Sequence, residues 1–174
     1  GLVGPNGCGK TTLMRCICGF AKATSGHVTV LGKRIGTNCD FAPRTGIIIE
    51  TPGFLPKYNA KKNLMLLAGT SGEATKERVD EVIRLVGLDP EEKKPVGKYS
   101  LGMRQRLGIA QAIMEDPQIL ILDEPFSGLD PIAVDSMVEL LRERTREGVP
   151  VLFSSHQLDL VDRLCDNLVV LKAG

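Results

Sequence analysis

The sequence is poor in several features that mark large classes of protein. It has no tryptophan, and aromatic residues make up only 4% of its 174 residues. Rings that stack on exposed bases are therefore scarce, which disfavours a platform for single-stranded nucleic acid. Positive charge is not in excess either, because 22 Lys and Arg residues face 21 Asp and Glu residues, for a net charge of +1. This balance provides no basic stripe that could neutralise a nucleic-acid backbone.

Long hydrophobic runs and paired cysteines are missing as well. The apolar runs at residues 119–122 and 168–171 are far shorter than the roughly 20 residues that cross a bilayer. The five cysteines are an odd number without CxxC spacing, so the sequence predicts a reduced chain. What remains is an ordinary globular composition, with 43% hydrophobic and 25% charged residues, at a length that favours one domain.

Short β-branched or leucine-rich runs alternate with helical patterns along most of the chain. This alternation predicts an α/β fold with a mostly parallel sheet. The predicted strands cover residues 28–31, 46–49, 118–122, 149–154 and 167–171. The predicted core-facing helical stripes are Leu13, Cys16, Ile17 and Phe20, then Val79, Val82, Ile83 and Val86, then Val134, Met137, Val138 and Leu141.

The alternation breaks over residues 52–98, where two helical patterns, about 60–68 and 74–86, have no strand between them. We therefore expect a single domain, residues 1–174, with a helical subdomain at about 52–115 inserted into the α/β core. The first three residues run directly into a glycine loop, so we also expect that the domain is truncated at its N-terminus and lacks N-terminal strands.

A phosphate-binding loop is predicted near the start of the chain. Residues 4–12 read GPNGCGKTT, which fits the pattern GxxxxGK[ST] and precedes an amphipathic helix. Glycines let backbone N–H groups turn around a phosphate, and the helix directs its positive end at the same anion. We expect Lys10 to reach the β- and γ-phosphates of ATP, Thr11 to ligate Mg²⁺ and Thr12 to contact the α-phosphate. The predicted loop is completed by Asn6, Gly7, Cys8 and Gly9. The alternative is a glycine turn that caps a helix.

Two carboxylates follow a predicted buried strand. Residues 119–124 read ILILDE, which places Asp123 and Glu124 at the carboxyl end of that strand, where ligands of open α/β sheets bind. In a phosphate site, Asp123 suits Mg²⁺ and Glu124 suits a general base that polarises the attacking water. The alternative is a pair of acids that caps the next helix.

His156 follows the predicted strand 149–154 and is expected at the same sheet edge. We expect it to contact the γ-phosphate and to hold the attacking water together with Glu124. The predicted catalytic set is therefore Lys10, Glu124 and His156. A capping or core histidine is the alternative.

Two further segments complete a family pattern. Residues 99–103 read YSLGM and resemble a signature loop that is usually LSGGQ, and residues 127–130 read SGLD and resemble a loop at a dimer interface. With the three motifs above, the chain resembles the ATP-binding-cassette (ABC) ATPases of transporters. The resemblance implies a P-loop NTPase fold and a head-to-tail homodimer or heterodimer. In that dimer Ser100 and Gly102 would contact the partner's nucleotide, and Asp130 would bridge the interface.

The sequence departs from the family pattern in two places. Leu101 and Met103 replace a Gly and a Gln of the signature loop. Glu50 stands where the family usually has Gln, so the resemblance implies a carboxylate ligand for nucleotide-bound Mg²⁺ at that position. Glu50, followed by the segment 52–54, is similar to the exporter ATPases of bacitracin resistance and lantibiotic self-immunity.

The resemblance therefore implies an ATP-hydrolysing subunit that powers export of a peptide antibiotic or amphiphile. The expected partner is a membrane permease on a separate chain, with no nucleic acid bound. The subunit would be cytoplasmic, peripheral at the inner face of the membrane, and in contact with it only through the permease. Phe54, Leu55 and Tyr58 are candidate docking residues, with ordinary packing as the alternative. Two other functions stay open: a soluble ABC ATPase that acts on ribosomes or DNA, and a nucleotide-binding module without hydrolysis.

Overall fold

The strands and helices alternate in the order that the sequence pattern predicts. A computed structural model describes residues 1–50, 52–72 and 74–172. The strands are β1 (Leu2–Val3), β2 (Thr29–Val30), β3 (Lys33–Arg34), β4 (Thr45–Ile48), β5 (Ile119–Leu122), β6 (Val151–Phe153) and β7 (Val169–Val170). The α-helices are α1 (Lys10–Cys18), α2 (Ala60–Ser71), α3 (Lys76–Leu85), α4 (Leu101–Ile113), α5 (Pro131–Arg146) and α6 (Leu158–Leu164), and a 3₁₀ helix spans Val96–Lys98.

Parallel strands form the centre of the fold, which confirms the α/β class. The order is β4-β5-β6, with Ile48 opposite Leu122 and Leu122 opposite Phe153. The central strand β5 is buried on both faces, as a strand covered by helices on both sides must be. Strand β1 pairs in parallel with β7, and Leu2 bridges to Ser154 just after β6. The segments that follow β1, β5 and β6 therefore emerge at one edge.

The predicted strand at 28–31 is shorter than expected and lies in a hairpin. Strands β2 and β3 pair antiparallel through a two-residue turn, Leu31 and Gly32. Both turn residues have positive φ, 48° and 76°, which is the backbone of a type I′ hairpin turn. The turn geometry thus reverses the chain directly, and no crossover helix forms here.

The predicted core face of α1 is confirmed at Ile17, which packs against the core, and is wrong at Leu13 and Phe20. Leu13 and Phe20 are 39% and 49% exposed, whereas Met14 and Cys18 are fully buried. The reason lies at the start of the helix. Lys10 turns its side chain into the phosphate loop, so the line of residues at i, i+4 and i+8 from Lys10 faces the sheet.

The helices between β4 and β5 pack in sequence order, with α2 against α3 and α3 against α4. The predicted stripe of α3 is confirmed, since Val79, Val82 and Ile83 are fully buried. Helix α4 contacts both α3 and the sheet. Gly46 of β4 permits the close approach to the sheet, because a Cβ atom there would clash with the carbonyl oxygen of Ala112 on α4. The division of the chain into a core and an inserted subdomain at 52–115 stays a prediction.

No helix among the described residues is long and apolar enough to span a membrane.

Candidate functional site

The segment between β1 and α1 forms a tight loop around the side chain of Lys10. Gly7 and Gly9 adopt left-handed backbone, with φ of 80° and 100°, which glycine accommodates without strain. Lys10 is buried, and its Nζ donates hydrogen bonds to the carbonyl oxygens of Gly4 at 2.8 Å and Pro5 at 3.2 Å. The loop thus holds a positive charge at its centre, directly before the N-terminus of a helix.

Cys8 lies on the inner side of the loop. Its side chain is buried, and its backbone N–H donates to the carbonyl of Pro5 at 3.2 Å. A Cβ atom on Gly4 would lie 2.6 Å from Cys8 Sγ and 2.4 Å from the carbonyl oxygen of Leu171. The loop therefore requires glycine at position 4, and the small thiol fills the space beneath it.

Asp123 joins the phosphate loop to the end of β5. Thr11 Oγ1 donates to Asp123 Oδ2 at 2.7 Å, although the two residues are 112 positions apart. The other carboxylate oxygen accepts from Ser154 Oγ at 2.5 Å, and Ser154 is completely buried. A hydroxyl and a carboxylate are thereby placed side by side, which is an oxygen donor set that suits Mg²⁺.

Glu124 is held in left-handed backbone, with a φ of 47°. Its N–H donates to Ser154 Oγ at 2.9 Å, and its carbonyl accepts from Gln105 Nε2 at 3.1 Å. Its carboxylate Oε2 lies 2.9 Å from Nδ1 of His156. The structure thus brings together the acid and the histidine that the sequence placed at the same edge.

These groups enclose a cleft of about 320 Å³. It is lined by Asn6, Gly7, Gly9, Lys10, Thr11, Thr12, Asp123 and Glu124. The cleft combines a buried ammonium group, a helix N-terminus, oxygen ligands and a carboxylate held by a histidine. Such a set can bind a polyphosphate with a divalent cation and polarise a water beside it.

Glu50 follows β4, and its carboxylate pairs with Arg15 and not with Thr11 or Asp123. It has left-handed backbone, with a φ of 61°, and its exposed carboxylate lies 3.4 Å from the guanidinium of Arg15 on α1. Within the described part of the chain, Glu50 makes no hydrogen bond to Thr11 or Asp123. The structure therefore brings two of the three predicted metal ligands together and pairs the third with a cation.

Ser100 and Asp130 lie at the starts of helices and outside this cleft. Ser100 caps α4 by accepting from the backbone N–H of Met103 at 3.1 Å, and Asp130 caps α5 by accepting from Ala133 at 3.0 Å. Gly102, in the first turn of α4, packs so closely that a Cβ atom there would lie 2.6 Å from the carbonyl oxygen of Gly128. The signature-like loop and the 127–130 loop are thus in direct contact.

Tyr99, the first residue of the signature-like loop, anchors that loop in the core. The residue is buried, and burial together with the nearby charge of Glu92 raises the pKa of its phenol. The ring therefore stays neutral and serves as a packing residue at the position of the family's leucine.

Sequence reasoning missed two polar residues that contact the acids. Ser154 bridges Asp123 and Glu124, and Gln105 reaches Glu124 from α4. A signal for Gln105 was present, since it lies four residues before the buried Ile109 and so on the buried face of the helix. A polar residue at such a position needs a partner.

A comparison with protein families decides the relationship. The family described as "ABC transporter" matches residues 1–127. The chain belongs to the ABC transporter family. The family predicted from the sequence is thereby confirmed.

Curated relatives of this ABC cassette include transport proteins. The bacitracin transport ATP-binding protein BcrA of Bacillus licheniformis is 42% identical over 176 residues, covering 100% of this chain and 58% of the relative. The uncharacterized ABC transporter ATP-binding protein YdbJ of Bacillus subtilis (strain 168) is 45% identical, covering 100% of this chain and 57% of the relative. The chain thus spans somewhat more than half the length of these relatives.

Solved ABC structures share the fold. The ATP-binding subunit of an ABC transporter has a TM-score of 0.87 at 30% identity, covering 99% of this chain and 75% of that one. A dimeric post-hydrolysis state of an ATP-binding cassette bound to ADP and Pi also has a TM-score of 0.87, covering 99% of this chain and 80% of that one. Its 22% identity makes it evidence for the fold alone.

Proposed function

We propose that this chain is the ATP-binding and ATP-hydrolysing part of an ABC exporter. The observation that carries the proposal is the direct contact of three motifs at one edge of the sheet. Thr11 of the phosphate loop contacts Asp123 at 2.7 Å, and Glu124, the next residue, contacts His156 at 2.9 Å. A phosphate-binding group, a metal-binding group and a general base therefore lie within one site.

The phosphate loop supplies the binding energy for the triphosphate. Backbone N–H groups at the start of α1 and the helix dipole favour an anion at this place. Lys10 is already directed into the loop, where its carbonyl partners are only 2.8 and 3.2 Å away. In the proposed complex its ammonium group exchanges these carbonyls for β- and γ-phosphate oxygens, and Thr12 contacts the α-phosphate.

The donor groups fit Mg²⁺, which ABC cassettes use with ATP. Thr11 Oγ1 and Asp123 Oδ2 lie side by side and offer the oxygen ligands that this ion prefers. When bound, Mg²⁺ neutralises charge on the phosphate oxygens. Glu50 is a weaker candidate ligand, because its carboxylate pairs with Arg15 in this structure.

Glu124 takes the proton in the proposed reaction. A water oxygen attacks the γ-phosphorus, its proton passes to the Glu124 carboxylate, and the bond to the β–γ bridging oxygen breaks to release ADP and phosphate. His156 holds the carboxylate through Nδ1. Its other ring nitrogen contacts the γ-phosphate when both nitrogens carry protons.

A second cassette completes the site in this proposal. Ser100 and Asp130 are exposed helix caps, and neither lines the cleft of its own chain. Their exposure supports a head-to-tail homodimer or heterodimer in which Ser100, Gly102 and the start of α4 meet the partner's γ-phosphate. The helix N-terminus favours that anion. Asp130 would lie across the interface.

The proposed permease docks on a groove between strand β4 and helices α2 and α4. The groove has a volume of about 680 Å³ and is lined by apolar groups, including Phe20, Ile47 and Leu67, with Arg44 and Glu115 beside them. Leu55 and Tyr58 are also exposed, whereas Phe54 packs against the core. We place the subunit at the cytoplasmic face of the membrane, in contact with it through this permease.

The cargo is proposed from the relatives. Because two of them are bacitracin transport ATP-binding proteins, we propose export of a peptide antibiotic or a similar amphiphile. The transport relatives and the balanced net charge do not favour action on ribosomes or DNA. Tolerance of cells to bacitracin, measured with this protein and its permease, should rise with the wild type and not with Glu124→Gln.

The decisive test uses purified Glu124→Gln, with Glu77→Gln on the exposed surface of α3 as its control. We expect ATP hydrolysis to fall about 100-fold or more in Glu124→Gln and to be unchanged in Glu77→Gln, because only the first removes the base. Light scattering should show dimers of Glu124→Gln with MgATP and monomers without it. Hydrolysis at the wild-type rate by Glu124→Gln would contradict the proposed role.

A further inference from the structure

We infer that Gln105 is a positioning residue, which sets the direction of the Glu124 carboxylate from the signature helix α4. The inference rests on the proposed role of Glu124 in hydrolysis. Gln105 is only 6% exposed, and its Nε2 donates to the carbonyl oxygen of Glu124 at 3.1 Å. Gln105 does not line the cleft, so its effect on the reaction must pass through another residue, and Glu124 is its hydrogen-bond partner.

The backbone of Glu124 is in a conformation that needs such support. A glutamate with a φ of 47° lies in the left-handed region, which side-chain-bearing residues seldom occupy. The peptide groups on its two sides are anchored by different elements. Ser154, just after β6, accepts from the N–H at 2.9 Å, and Gln105 on α4 donates to the carbonyl at 3.1 Å. These two contacts restrain the peptide groups on either side of the Glu124 Cα, and so the direction of its Cα–Cβ bond.

A second contact joins the start of α4 to the loop after Glu124. A Cβ atom on Gly102 would lie 2.6 Å from the carbonyl oxygen of Gly128, and one on Gly128 would lie 2.6 Å from Leu101 Cδ2. The first turn of α4 and this loop therefore cannot move independently. A shift of α4 is transmitted to Glu124 both through Gly128 and through Gln105.

This linkage has a consequence in the proposed dimer. The start of α4 meets the nucleotide of the partner, whereas Glu124 of the same chain serves its own nucleotide. Gln105 thus links the arrival of the partner's γ-phosphate to the alignment of the base.

A merely structural amide would act differently, because its loss would lower stability and leave the turnover of folded protein intact. The Glu124 carbonyl also accepts from Ser127 N–H at 3.2 Å, so loss of Gln105 does not leave it without a partner.

The test compares Gln105→Met with Gln111→Met, a matched change on the same helix. Methionine keeps the length and volume of glutamine but has no N–H donor. We expect kcat for ATP hydrolysis to fall about tenfold in Gln105→Met, since a small misplacement of a base is costly. KM for ATP and the thermal midpoint should match those of the control. If Gln105→Met does not fold, Gln105→Asn replaces it, because its amide is one methylene too short to reach the carbonyl.

A double-mutant cycle separates positioning from other effects. If Gln105 acts through Glu124, adding Gln105→Met to Glu124→Gln should lower the residual hydrolysis no further. A full additional tenfold fall, or a kcat equal to that of Gln111→Met, overturns the inference. If Glu124→Gln itself hydrolyses ATP like the wild type, the proposed function fails instead, and this inference with it.

Discussion

Two regions of the molecule satisfy their buried polar groups in different ways. In the segment 54–98, which contains α2 and α3 and is called the lobe below, Asn63 is a buried polar residue that is 4% exposed. Its Oδ1 accepts from the N–H of Leu55 at 2.7 Å, and its Nδ2 donates to the carbonyls of Leu55, Tyr58 and Asn59 at 3.0 to 3.3 Å. All these partners lie within eight residues along the chain.

At the proposed catalytic edge, residues 123–124 and 154–156, the partners are far apart in sequence. Asp123 and Ser154 are separated by 31 residues, and Asp123 and Thr11 by 112. The lobe's polar network therefore forms from neighbouring residues, whereas the proposed catalytic edge forms only once β1, β5 and β6 have assembled. Substitutions in the two regions should therefore affect different properties.

The largest effect is expected for Asp123→Asn at the catalytic edge. The amide loses the charge that attracts Mg²⁺ but keeps an oxygen that can accept from one hydroxyl. We expect hydrolysis to fall about 100-fold, with a thermal midpoint close to that of the wild type. Asp159→Asn, an exposed change in α6, is the control. A large loss of stability with little loss of hydrolysis would contradict the expected difference between the two regions.

A smaller effect is expected for Asn63→Leu in the lobe, and it should lower stability and leave hydrolysis unchanged. Leucine leaves buried backbone groups of the 55–59 segment without a partner, so the free energy of unfolding should fall by about 1–3 kcal/mol. Hydrolysis per folded molecule should be unchanged. Urea unfolding and an ATPase assay on the same preparation measure both quantities, with Gln118→Leu on the surface as the control. A fall in kcat would show that the lobe's network also serves the catalytic edge.

The smallest effect concerns Cys18, the last residue of α1, whose side chain is on the buried face of that helix. Burial raises the pKa of this thiol from 9.0 to about 11. At pH 9 the thiolate fraction should be about 1%, and alkylation in the native state should be far slower than at the less buried Cys39. The raised pKa contributes stability that is complete below pH 9 and is lost as pH rises toward 11, because the unfolded chain releases the proton first.

Mass spectrometry of alkylated peptides, over a pH series, measures this difference. Equal rates at Cys18 and Cys39 would contradict it, and would show that the core beneath the catalytic edge opens without global unfolding.

The motifs with fixed local geometry were predictable from the sequence. The phosphate loop could be placed because its glycines and Lys10 stand at set spacings before a helix, and Asp123 because an apolar strand precedes it. The buried face of α1 could not be predicted in this way. The side chain of Lys10 turns into the phosphate loop, so Met14 and Cys18, which lie in line with it, are the residues that α1 buries. The prediction that Glu50 is a ligand of Mg²⁺ stays a prediction, and in this structure its carboxylate lies 3.4 Å from the guanidinium of Arg15. Local pattern carries no information on which distant charge a loop carboxylate will meet.

The amino-acid order is enough to specify the chemical groups that this protein has available: a loop able to surround a phosphate, two adjacent carboxylates after a buried strand, and a histidine after another strand. Spacing along one strand or helix is enough for that, because backbone geometry is local. Only the tertiary structure decided that Ser154 and Gln105 hold Glu124 between them. Serine and glutamine are ordinary residues in isolation, and they become positioning groups when distant parts of the chain bury them against a strained backbone.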